Sequence, residues 1–275
     1  MSADLHIHTT ASDGSMSPKQ VIEMAFKLRL KSIAISDHDT VDGIDEALAS
    51  SKKLGIKVIP AIELSSIYNS RDIHILGFLI NHKNLKLLES LRSLREARLE
   101  RAEWIAECLQ KQGLDLSFDE VMETAGKASV GRPHIARLLV EKGYVSGFSN
   151  AFIKYLRRGA LCFKEKFVYP VDRSISIIHE AGGISIFAHP GLAHLDEYID
   201  KFIDMGLDGI EAFHPEHPAQ DIERYIKVAH DKGLLITGGS DCHGPLSTHG
   251  LRLGTVFVPD EVVDKLEEYR RVSRL

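Results

Sequence analysis

The sequence predicts an α/β fold: a barrel of parallel strands interrupted by an inserted helical subdomain. Short β-rich segments alternate with helical patterns in both the first and the last part of the chain, which is typical of a parallel sheet. No strand pattern occurs between Asn84 and about Ala160, so this block is interpreted as the insertion. The chain has 275 residues, enough for one barrel of about seven or eight strands with a large core.

Ser17 and Pro18 mark the start of the first predicted helix, because Ser is a preferred N-cap and Pro is tolerated at the first helical position. This helix covers residues 18–28, and a second covers residues 41–54 and is ended by Gly55. The β-rich runs around both helices predict four strands, at residues 5–8, 32–36, 57–62 and 73–78.

A long charged helix over residues 84–112, stopped by Gly113, opens the insertion. Shorter helices are predicted at residues 117–125, 132–142 and 149–157. The alternation then resumes with a helix at 171–181, strands at 184–187, 209–213, 234–237 and 255–258, and a polar C-terminal helix. The predicted organisation is a barrel at residues 1–83 and 161–275 and a helical subdomain that caps the substrate at residues 84–160.

Charge and composition narrow the class of protein. The net charge of −5, from 34 basic and 39 acidic residues, speaks against a protein that binds long duplex nucleic acid. The N-terminal residues lack a signal peptide pattern, and no apolar run approaches the ~20 residues of a membrane span. Three cysteines without CxxC spacing argue against a disulfide framework and fit a reducing compartment. We therefore expect a soluble cytoplasmic protein.

Histidines and carboxylates follow the predicted strands. Chemistry in a parallel barrel collects at the carboxyl ends of strands, so the placement of the 14 histidines is informative. His6 with His8, and Asp241 with His243, are spaced so that both side chains of a pair face the same side of the chain. Asp13 lies in the loop after the first predicted strand, and His74 lies on the fourth. The residues at the predicted strand ends are His6, His8, Asp37, His38, Asp39, Glu63, His189, His214, Asp241 and His243.

A single histidine at a strand end is more often a loop residue than a ligand, and Asp13-Gly14 alone could be a turn. A purely structural interpretation would have to explain such residues at every predicted strand end, while strand interiors are Ile, Val, Leu and Ala. Mixed imidazole and carboxylate ligands suit Zn, Mn or Fe. The sequence therefore predicts a site that binds several metal ions.

In the order of its motifs the chain resembles the PHP (polymerase and histidinol phosphatase) family. The motifs are His6-x-His8, Asp13, Ser36-Asp37-His38-Asp39, Glu63, His74, Ala188-His189-Pro190 and Ser240-Asp241-Cys242-His243. The resemblance implies a distorted (β/α)7 TIM-like barrel and about three divalent metal ions (Mn, Zn or Fe). It implies one ion on His6, His8, Glu63 and Asp241, a second on Glu63, His74 and His189, and a third on Asp13, His38 and His243.

The insertion resembles that of the branch that hydrolyses nucleoside 3',5'-bisphosphates or trims short RNA from its 5' end. The matching segments are Arg-rich residues 95–101 and Gly131-Arg132-Pro133-His134. Arg98 and Arg101 lie on one helical face, where guanidinium groups could bind a phosphate or pair with neighbouring glutamates. The branch often has Lys after the glycine that ends the insertion, whereas Ala160 follows Gly159 here.

The expected activity is metal-dependent hydrolysis of a phosphate ester, with a small phosphorylated nucleotide or a short RNA 5' end as substrate. A hydroxide bridging two ions at Glu63 would attack phosphorus and release the 3'-phosphate of a nucleoside 3',5'-bisphosphate. Arg98, Arg101, Arg132 and His134 would bind the substrate. His243, His214 and His217 are candidates for the leaving oxygen, and His217 and His134 could equally be structural.

Three other activities stay open at this stage. The first is a histidinol-phosphate phosphatase of the same family, and the long helical insertion speaks against it. A non-catalytic, metal-stabilised PHP module should lack ligands, and none is missing here. A metal-dependent amidohydrolase often uses a carboxylated Lys as the bridging group, a position that Glu63 occupies in this chain.

Overall fold

The computed structural model describes residues 2–126 and 128–273. The chain forms two compact units, Met1–Ser90 with Val168–Leu275 and Leu91–Phe167. We call the first the barrel unit and the second the helical unit. The predicted insertion at residues 84–160 begins and ends somewhat earlier in the chain than the helical unit does.

The barrel unit contains all nine strands of the described residues. Their order in the sheet is β8-β7-β6-β4-β3-β2-β1-β9, and β5 pairs with β3. The strands are β1 (Ser2–Asp4), β2 (Ser32–Ile35), β3 (Lys57–Tyr68), β4 (Arg71–Phe78), β5 (Tyr169–Pro170), β6 (Ile184–Phe187), β7 (Gly209–Phe213), β8 (Leu235–Gly238) and β9 (Val258–Pro259).

The segment that follows β1 nearly closes this sheet into a barrel. Leu5 N donates to Gly238 O over 3.3 Å, and His8 N donates to Cys242 O over 3.0 Å. Ile7 and Cys242 also form a parallel bridge. The predicted α/β barrel is therefore confirmed, although β1 ends before the predicted strand at residues 5–8 begins.

The expectation of a fully parallel sheet is wrong for β4. This strand is antiparallel to both β3 and β6. The cause is local: Asn69 and Ser70, with φ of 46° and 62°, form a two-residue hairpin turn, and no helix separates β3 from β4. β9 is also antiparallel to its neighbour β1, and it retains only the end of the predicted strand 255–258.

Eleven α-helices complete the described structure, with one π-helical turn at Phe152–Leu156 and one 3-10 turn at Asp196–Tyr198. Among the described residues, no helix is long and apolar enough to cross a membrane. The helices are α1 (Pro18–Lys27), α2 (Ile44–Ser51), α3 (Leu85–Lys111), α4 (Phe118–Ala125), α5 (Arg132–Glu141), α6 (Phe148–Ala151), α7 (Val171–Glu180), α8 (Pro190–Ala193), α9 (Ile199–Asp204), α10 (Ala219–Lys232) and α11 (Asp260–Val272).

The start of α1 agrees with its sequence signals. Ser17 Oγ accepts from Gln20 N over 3.2 Å, Gln20 Oε1 accepts from Ser17 N over 2.8 Å, and Pro18 is the first helical residue. This reciprocal capping satisfies two backbone donors that the helix itself leaves unpaired.

The barrel core consists of buried aliphatic side chains such as Leu5, Ile59, Leu76 and Ile186. Close packing extends to the backbone at the mouth of the barrel: a Cβ on Gly239 would lie 2.3 Å from His6 N. Only glycine allows the chain after β8 to approach the segment after β1 this closely, and Asp241, two residues later, lies beside His6.

The helical unit has its own core between α3 and α5, with Ile105 and Leu109 among the buried residues. Within it Cys108 and Cys162 form a disulfide, their Cα atoms 5.6 Å apart. The expectation of no disulfide is therefore wrong. It relied on an odd cysteine count and local spacing, whereas these two residues are 54 positions apart and only the fold brings them together. Cys242 is free and buried.

Asp208 links three elements of the barrel unit at the amino end of β7. Its Oδ2 accepts from Ser185 N over 2.8 Å and lies 2.7 Å from His179 Nε2, while Oδ1 accepts from Tyr269 Oη over 2.8 Å. Burial raises the pKa of this carboxyl, but these partners, His179 first, outweigh burial and lower it. The carboxylate thus joins β6, α7 and α11.

We expect Asp208→Asn to lower the free energy of unfolding by about 1–3 kcal/mol, since a buried network loses its charged acceptor. The folded-state pKa lies below the unfolded value, so this stabilisation is present above the unfolded pKa and is lost as pH falls through the folded pKa. Urea unfolding at several pH values measures the difference. Asp264→Asn, at an exposed carboxylate of α11, is the matched control. A difference in unfolding free energy between the two variants that does not shrink in acid would contradict the charge argument.

Candidate metal centre

The structure brings together all nine residues predicted as metal ligands at one end of the barrel. Seven of them lie in the segments that follow β1, β2, β6 and β8. The other two, Glu63 and His74, lie within β3 and β4. Because β3 continues to Tyr68, Glu63 does not end its strand as predicted. The seven are His6, His8, Asp13, His38, His189, Asp241 and His243.

Glu63 is the centre of this cluster. Its side chain is 1% exposed, and its two oxygens contact five imidazoles. Oε1 lies 2.8 Å from His74 Nδ1 and 3.0 Å from His189 Nε2. The contacts of Oε2 are His38 Nδ1 at 3.0 Å, His8 Nε2 at 3.2 Å and His6 Nε2 at 3.3 Å.

Asp241, in the segment after β8, contacts two of these five imidazoles. Its Oδ1 lies 3.1 Å from His8 Nε2 and 3.5 Å from His6 Nε2. Both Asp241 and His189 have left-handed backbone conformations, with φ of 47° and 30°. Such conformations cost of order 1–3 kcal/mol for residues other than glycine and cluster at functional sites.

Asp13 defines the outer edge of the cluster. Its Oδ1 lies 3.4 Å from His243 Nε2 and 4.0 Å from His8 Nδ1. A buried Asp37 shapes this loop, because its carboxylate accepts from Thr9 N over 2.7 Å and from Ser12 Oγ over 2.6 Å.

Four groups of these residues could each bind an ion, with ligand atoms within 4.8 Å of one another. They divide the ligands differently from the predicted sets, since Glu63 is shared between a group with His6 and one with His38. The assignment of ligands to three ions therefore stays a prediction. The groups are His8-Asp13-His38-His243, His6-His8-Asp241, His6-Glu63-His189 and His38-Glu63-His74.

Buried ligand atoms test whether this cluster fits metal ions. His6 Nε2, both ring nitrogens of His8, His38 Nδ1 and Glu63 Oε2 are buried and make no hydrogen bond of good geometry with any described residue. Buried polar atoms are normally hydrogen-bonded, because leaving one unpaired costs free energy. Cations among these atoms would provide the missing partners. Imidazole and carboxylate ligands suit Zn, Mn or Fe, so the residues fit divalent ions.

The charges of the cluster are strongly coupled. Burial raises the pKa of the Glu63 carboxyl, but the imidazoles of His38 and His74 outweigh burial and hold it well below its usual range. Burial lowers the pKa of His243, whereas Asp13 outweighs this effect and raises it to about 10. The Glu63 carboxylate is thus anionic and attracts cations, and an ion bound by His243 would displace a proton from its ring.

Glu211, which was not predicted, orients two ligands at once. It lies on β7, is 1% exposed, and its Oε1 is 2.9 Å from His6 Nδ1. Its Oε2 accepts from His189 N over 2.8 Å. Burial raises the pKa of Glu211, but the charge of His6 outweighs burial and lowers it. An ionised Glu211 requires that His6 Nδ1 donates, which directs His6 Nε2 towards Glu63. A charge inside an otherwise apolar strand was the signal for this residue.

The histidines proposed for the leaving group differ in their surroundings. His214 Nε2 lies 3.4 Å from Asp241 Oδ2. His217 is buried, its Nδ1 lies 2.9 Å from Ala212 O, and its Nε2 accepts from Gly191 N over 3.1 Å. These bonds engage both ring nitrogens of His217 with the backbone, which favours the structural alternative, and its role in substrate binding stays a prediction.

In the helical unit, two of the three predicted phosphate-binding arginines, Arg101 and Arg132, contact backbone carbonyls at and after the π-helical turn. Arg101 is 7% exposed and its Nε donates to Lys164 O over 2.8 Å. Arg132 donates to Leu156 O over 3.1 Å, and its guanidinium lies over the rings of Phe152 and Phe163. These contacts orient the two guanidinium groups.

The amino end of α5 adds a second feature to this arginine group. His134 Nδ1 accepts from Gly131 N over 3.1 Å, so His134 occupies the cap region, the alternative that the sequence left open. Gly131 lies beside Arg98, whose guanidinium nitrogen would be 3.4 Å from an added Cβ. Arg98 is therefore close to a helix amino end, which favours anions.

We expect Glu211→Gln to weaken metal binding about 10–100-fold, because His6 loses the acceptor that fixes its orientation. Competition with a fluorescent chelator measures the affinity for Mn²⁺ without reference to activity. Glu223→Gln, at an exposed position on α10, is the control. Unchanged affinity in a folded Glu211→Gln protein would show that Glu211 does not orient the ligands.

Comparison with known proteins adds a family to this geometry. Residues 4–169 match the PHP domain family. The chain is 32% identical to the 5'-3' exoribonuclease Rnm of Escherichia coli, over 88% of this chain and 85% of that protein. It is also 32% identical to the 3',5'-nucleoside bisphosphate phosphatase of Chromobacterium violaceum, over 88% and 87% of the two chains.

A solved structure from Bifidobacterium adolescentis, which carries the assignment of a metal-dependent phosphoesterase, superposes on this chain with a TM-score of 0.88. The two share 32% identity, and the match covers 96% of this chain and 94% of the other. Fold, ligand cluster and relatives agree: the chain belongs to the PHP domain family and is a metal-dependent hydrolase of phosphoester bonds.

Proposed function

We propose that the chain removes the 3'-phosphate from a nucleoside 3',5'-bisphosphate, with about three bound metal ions of Mn, Zn or Fe. The observation that supports hydrolysis most strongly is the buried carboxylate of Glu63 among five imidazoles. Buried ring nitrogens of His6, His8 and His38 in this group make no hydrogen bond of good geometry with any described residue. The nucleotide substrate is suggested by the bisphosphate phosphatase of C. violaceum.

The proposed ligands are the nine residues of the cluster around Glu63. When bound, divalent ions neutralise charge on the phosphoryl oxygens and lower the pKa of water, which is the chemistry that phosphate ester hydrolysis requires. The chain provides the geometry for this chemistry. The side chains of His6 and His8 are fully buried, and Glu211 orients His6, so these ligand positions are set before the substrate binds.

His243 is our first candidate for contact with the leaving ribose oxygen. Its side chain is 25% exposed, whereas those of His6 and His8 are 0% exposed. It is the most exposed of the six imidazoles of the cluster, ahead of His74 at 23%. Asp13 orients its ring from Nε2, and the backbone carbonyl of Asp241 lies 3.0 Å from Nδ1.

Arg98, Arg101 and Arg132 are proposed to bind the phosphate that is not hydrolysed. Arg101 and Arg132 are oriented by backbone carbonyls, so little side-chain entropy is lost when they bind an anion. A planar guanidinium binds phosphate oxygens in pairs. Binding energy at this second phosphate would orient the reacting one.

A second candidate function is 5'-3' exoribonuclease activity on short RNA. The observation that favours it is the charge of the helical unit, which has 14 Lys and Arg against 10 Asp and Glu, although the whole chain carries −5. A relative of similar identity is named an exoribonuclease. A non-catalytic module is disfavoured because all nine ligands converge, and nothing in the described residues favours histidinol phosphate.

We expect Glu63→Gln to lower phosphate release by about three orders of magnitude, because the shared ligand of two ion groups loses its charge. Phosphate release with Mn²⁺ and elemental analysis of the purified protein measure activity and metal content together. Glu216→Gln, outside the cluster, is the control. Full activity of the wild type after stringent chelation would contradict the proposal.

We expect Arg132→Ala to raise the KM for a nucleoside 3',5'-bisphosphate about 10–100-fold, because a charge-assisted contact to the second phosphate is lost. The KM for the corresponding 3'-monophosphate should change little. Arg137→Ala on the same helix controls for effects on α5. Equal effects on the two substrates would show that Arg132 does not bind the second phosphate. Faster hydrolysis of 5'-phosphorylated RNA than of either nucleotide would favour the exoribonuclease function.

A further inference from the structure

We propose that Cys108 and Cys162 are a reversible thiol–disulfide exchange site that controls how tightly the helical unit binds phosphate. The oxidised pair is the tight state, and reduction by a small-molecule thiol gives the loose state. The effect on substrate rests on the proposed function, whereas the exchange chemistry itself does not.

The disulfide joins α3 to the segment that contacts the arginines. We call residues 156–164 the support segment. It begins with Leu156, whose carbonyl accepts from Arg132, and ends with Lys164, whose carbonyl accepts from Arg101. Cys162 lies between these two carbonyls in sequence, and Cys108 lies about two helical turns after Arg101 on α3.

Phe163 strengthens this connection. It is adjacent to Cys162 and its ring lies 6.0 Å from the Arg132 guanidinium carbon. A shift of the support segment would therefore move a ring that packs on Arg132 and two carbonyl groups that orient Arg132 and Arg101.

Little regular structure stabilises the support segment besides the disulfide. No helix or strand of the described residues lies between the π-helical turn that ends at Leu156 and β5. The segment is connected to that turn by Arg157 N to Phe152 O and Cys162 N to Tyr155 O, each 2.9 Å. Leu161 is 62% exposed, so the residue before Cys162 contributes little buried area. The disulfide is thus the covalent link between the segment and α3, beside the hydrogen bond from Arg101 Nε to Lys164 O and the contact of Lys164 Nζ with the Trp104 ring.

The two sulfur atoms differ in access, which gives the exchange a direction. Cys108 is partly exposed and Cys162 is 0% exposed. An incoming thiolate RS⁻ attacks the Cys108 sulfur, forms an RS–S bond and releases Cys162 as its thiolate. A second RS⁻ then attacks this mixed disulfide, forms RSSR and releases the Cys108 thiolate. The reverse reaction consumes RSSR and returns both thiolates to the disulfide, so electrons balance in each direction.

The fold accommodates the reduced state as well. Leu161 O lies 3.6 Å from Cys108 Sγ and can accept from its thiol after reduction. The buried Cys162 packs among apolar side chains of the helical core, an environment that suits a neutral thiol. Cys242 is buried in the barrel unit and provides a constant count of one free thiol.

The test uses the full metal-loaded protein equilibrated with oxidised glutathione or with reduced glutathione. Alkylation after denaturation should show one thiol in the oxidised protein and three in the reduced protein, by mass. Hydrogen exchange in residues 156–164 should be at least about tenfold faster after reduction. The KM for a nucleoside 3',5'-bisphosphate should rise about tenfold with little change in kcat, and the KM for the 3'-monophosphate should change less than about twofold.

The Cys108→Ser/Cys162→Ser protein should show the reduced values in both buffers. Three results would overturn the proposal. One is a disulfide that glutathione does not reduce in the folded protein, which would make it a permanent crosslink. The others are hydrogen exchange in residues 156–164 that reduction leaves unchanged, and faster hydrogen exchange without a change in the KM for the bisphosphate. If neither nucleotide is hydrolysed, the proposed function fails. The proposed thiol–disulfide exchange site is then still tested by the thiol count, by hydrogen exchange and by equilibrium binding of the bisphosphate, which replaces the KM measurement.

Discussion

One buried carboxylate, Glu63, is the contact on which the mouth of the barrel depends. Five imidazoles from four different segments approach its two oxygens, and each of those segments must be placed by the sheet for this to occur. A negative charge at this position would be unstable alone in the interior. The surrounding histidines stabilise it, and cations shared among the same atoms would do so further. The polar centre therefore depends on the fold and also contributes to its cohesion.

Much of the candidate metal centre could be predicted from the sequence, because seven of its nine residues follow strand ends and strand periodicity is a local property. The start of α1 was predictable for the same reason, since Ser17 and Pro18 act on their immediate neighbours. What escaped prediction is non-local. The antiparallel direction of β4 follows from the tight turn formed by Asn69 and Ser70, which contains no glycine or proline. A β-rich run alone does not give the direction of a strand.

The roles of three further residues, Glu211, Cys108 and Cys162, could not be predicted from sequence patterns. Glu211 resembles any charged residue in a strand until its contacts with His6 and His189 are known. Cys108 and Cys162 become partners only after α3 and the chain that follows the π-helical turn pack together. Conversely, the arginines were identified by their segments, but their orientation by the carbonyls of Leu156 and Lys164 belongs to the tertiary structure.

The antiparallel pairing of β3 and β4 also has a consequence for how this barrel can evolve. Glu63 and His74 belong to one register, in which Ser65 pairs with His74 and Glu63 pairs with Leu76. Deleting or adding a single residue inside either strand would rotate the following side chains to the opposite face of the sheet. Ligands in loops tolerate changes of length, whereas these two do not. Natural variants should therefore accumulate length changes after β4, where the helical unit begins, and almost none within the hairpin.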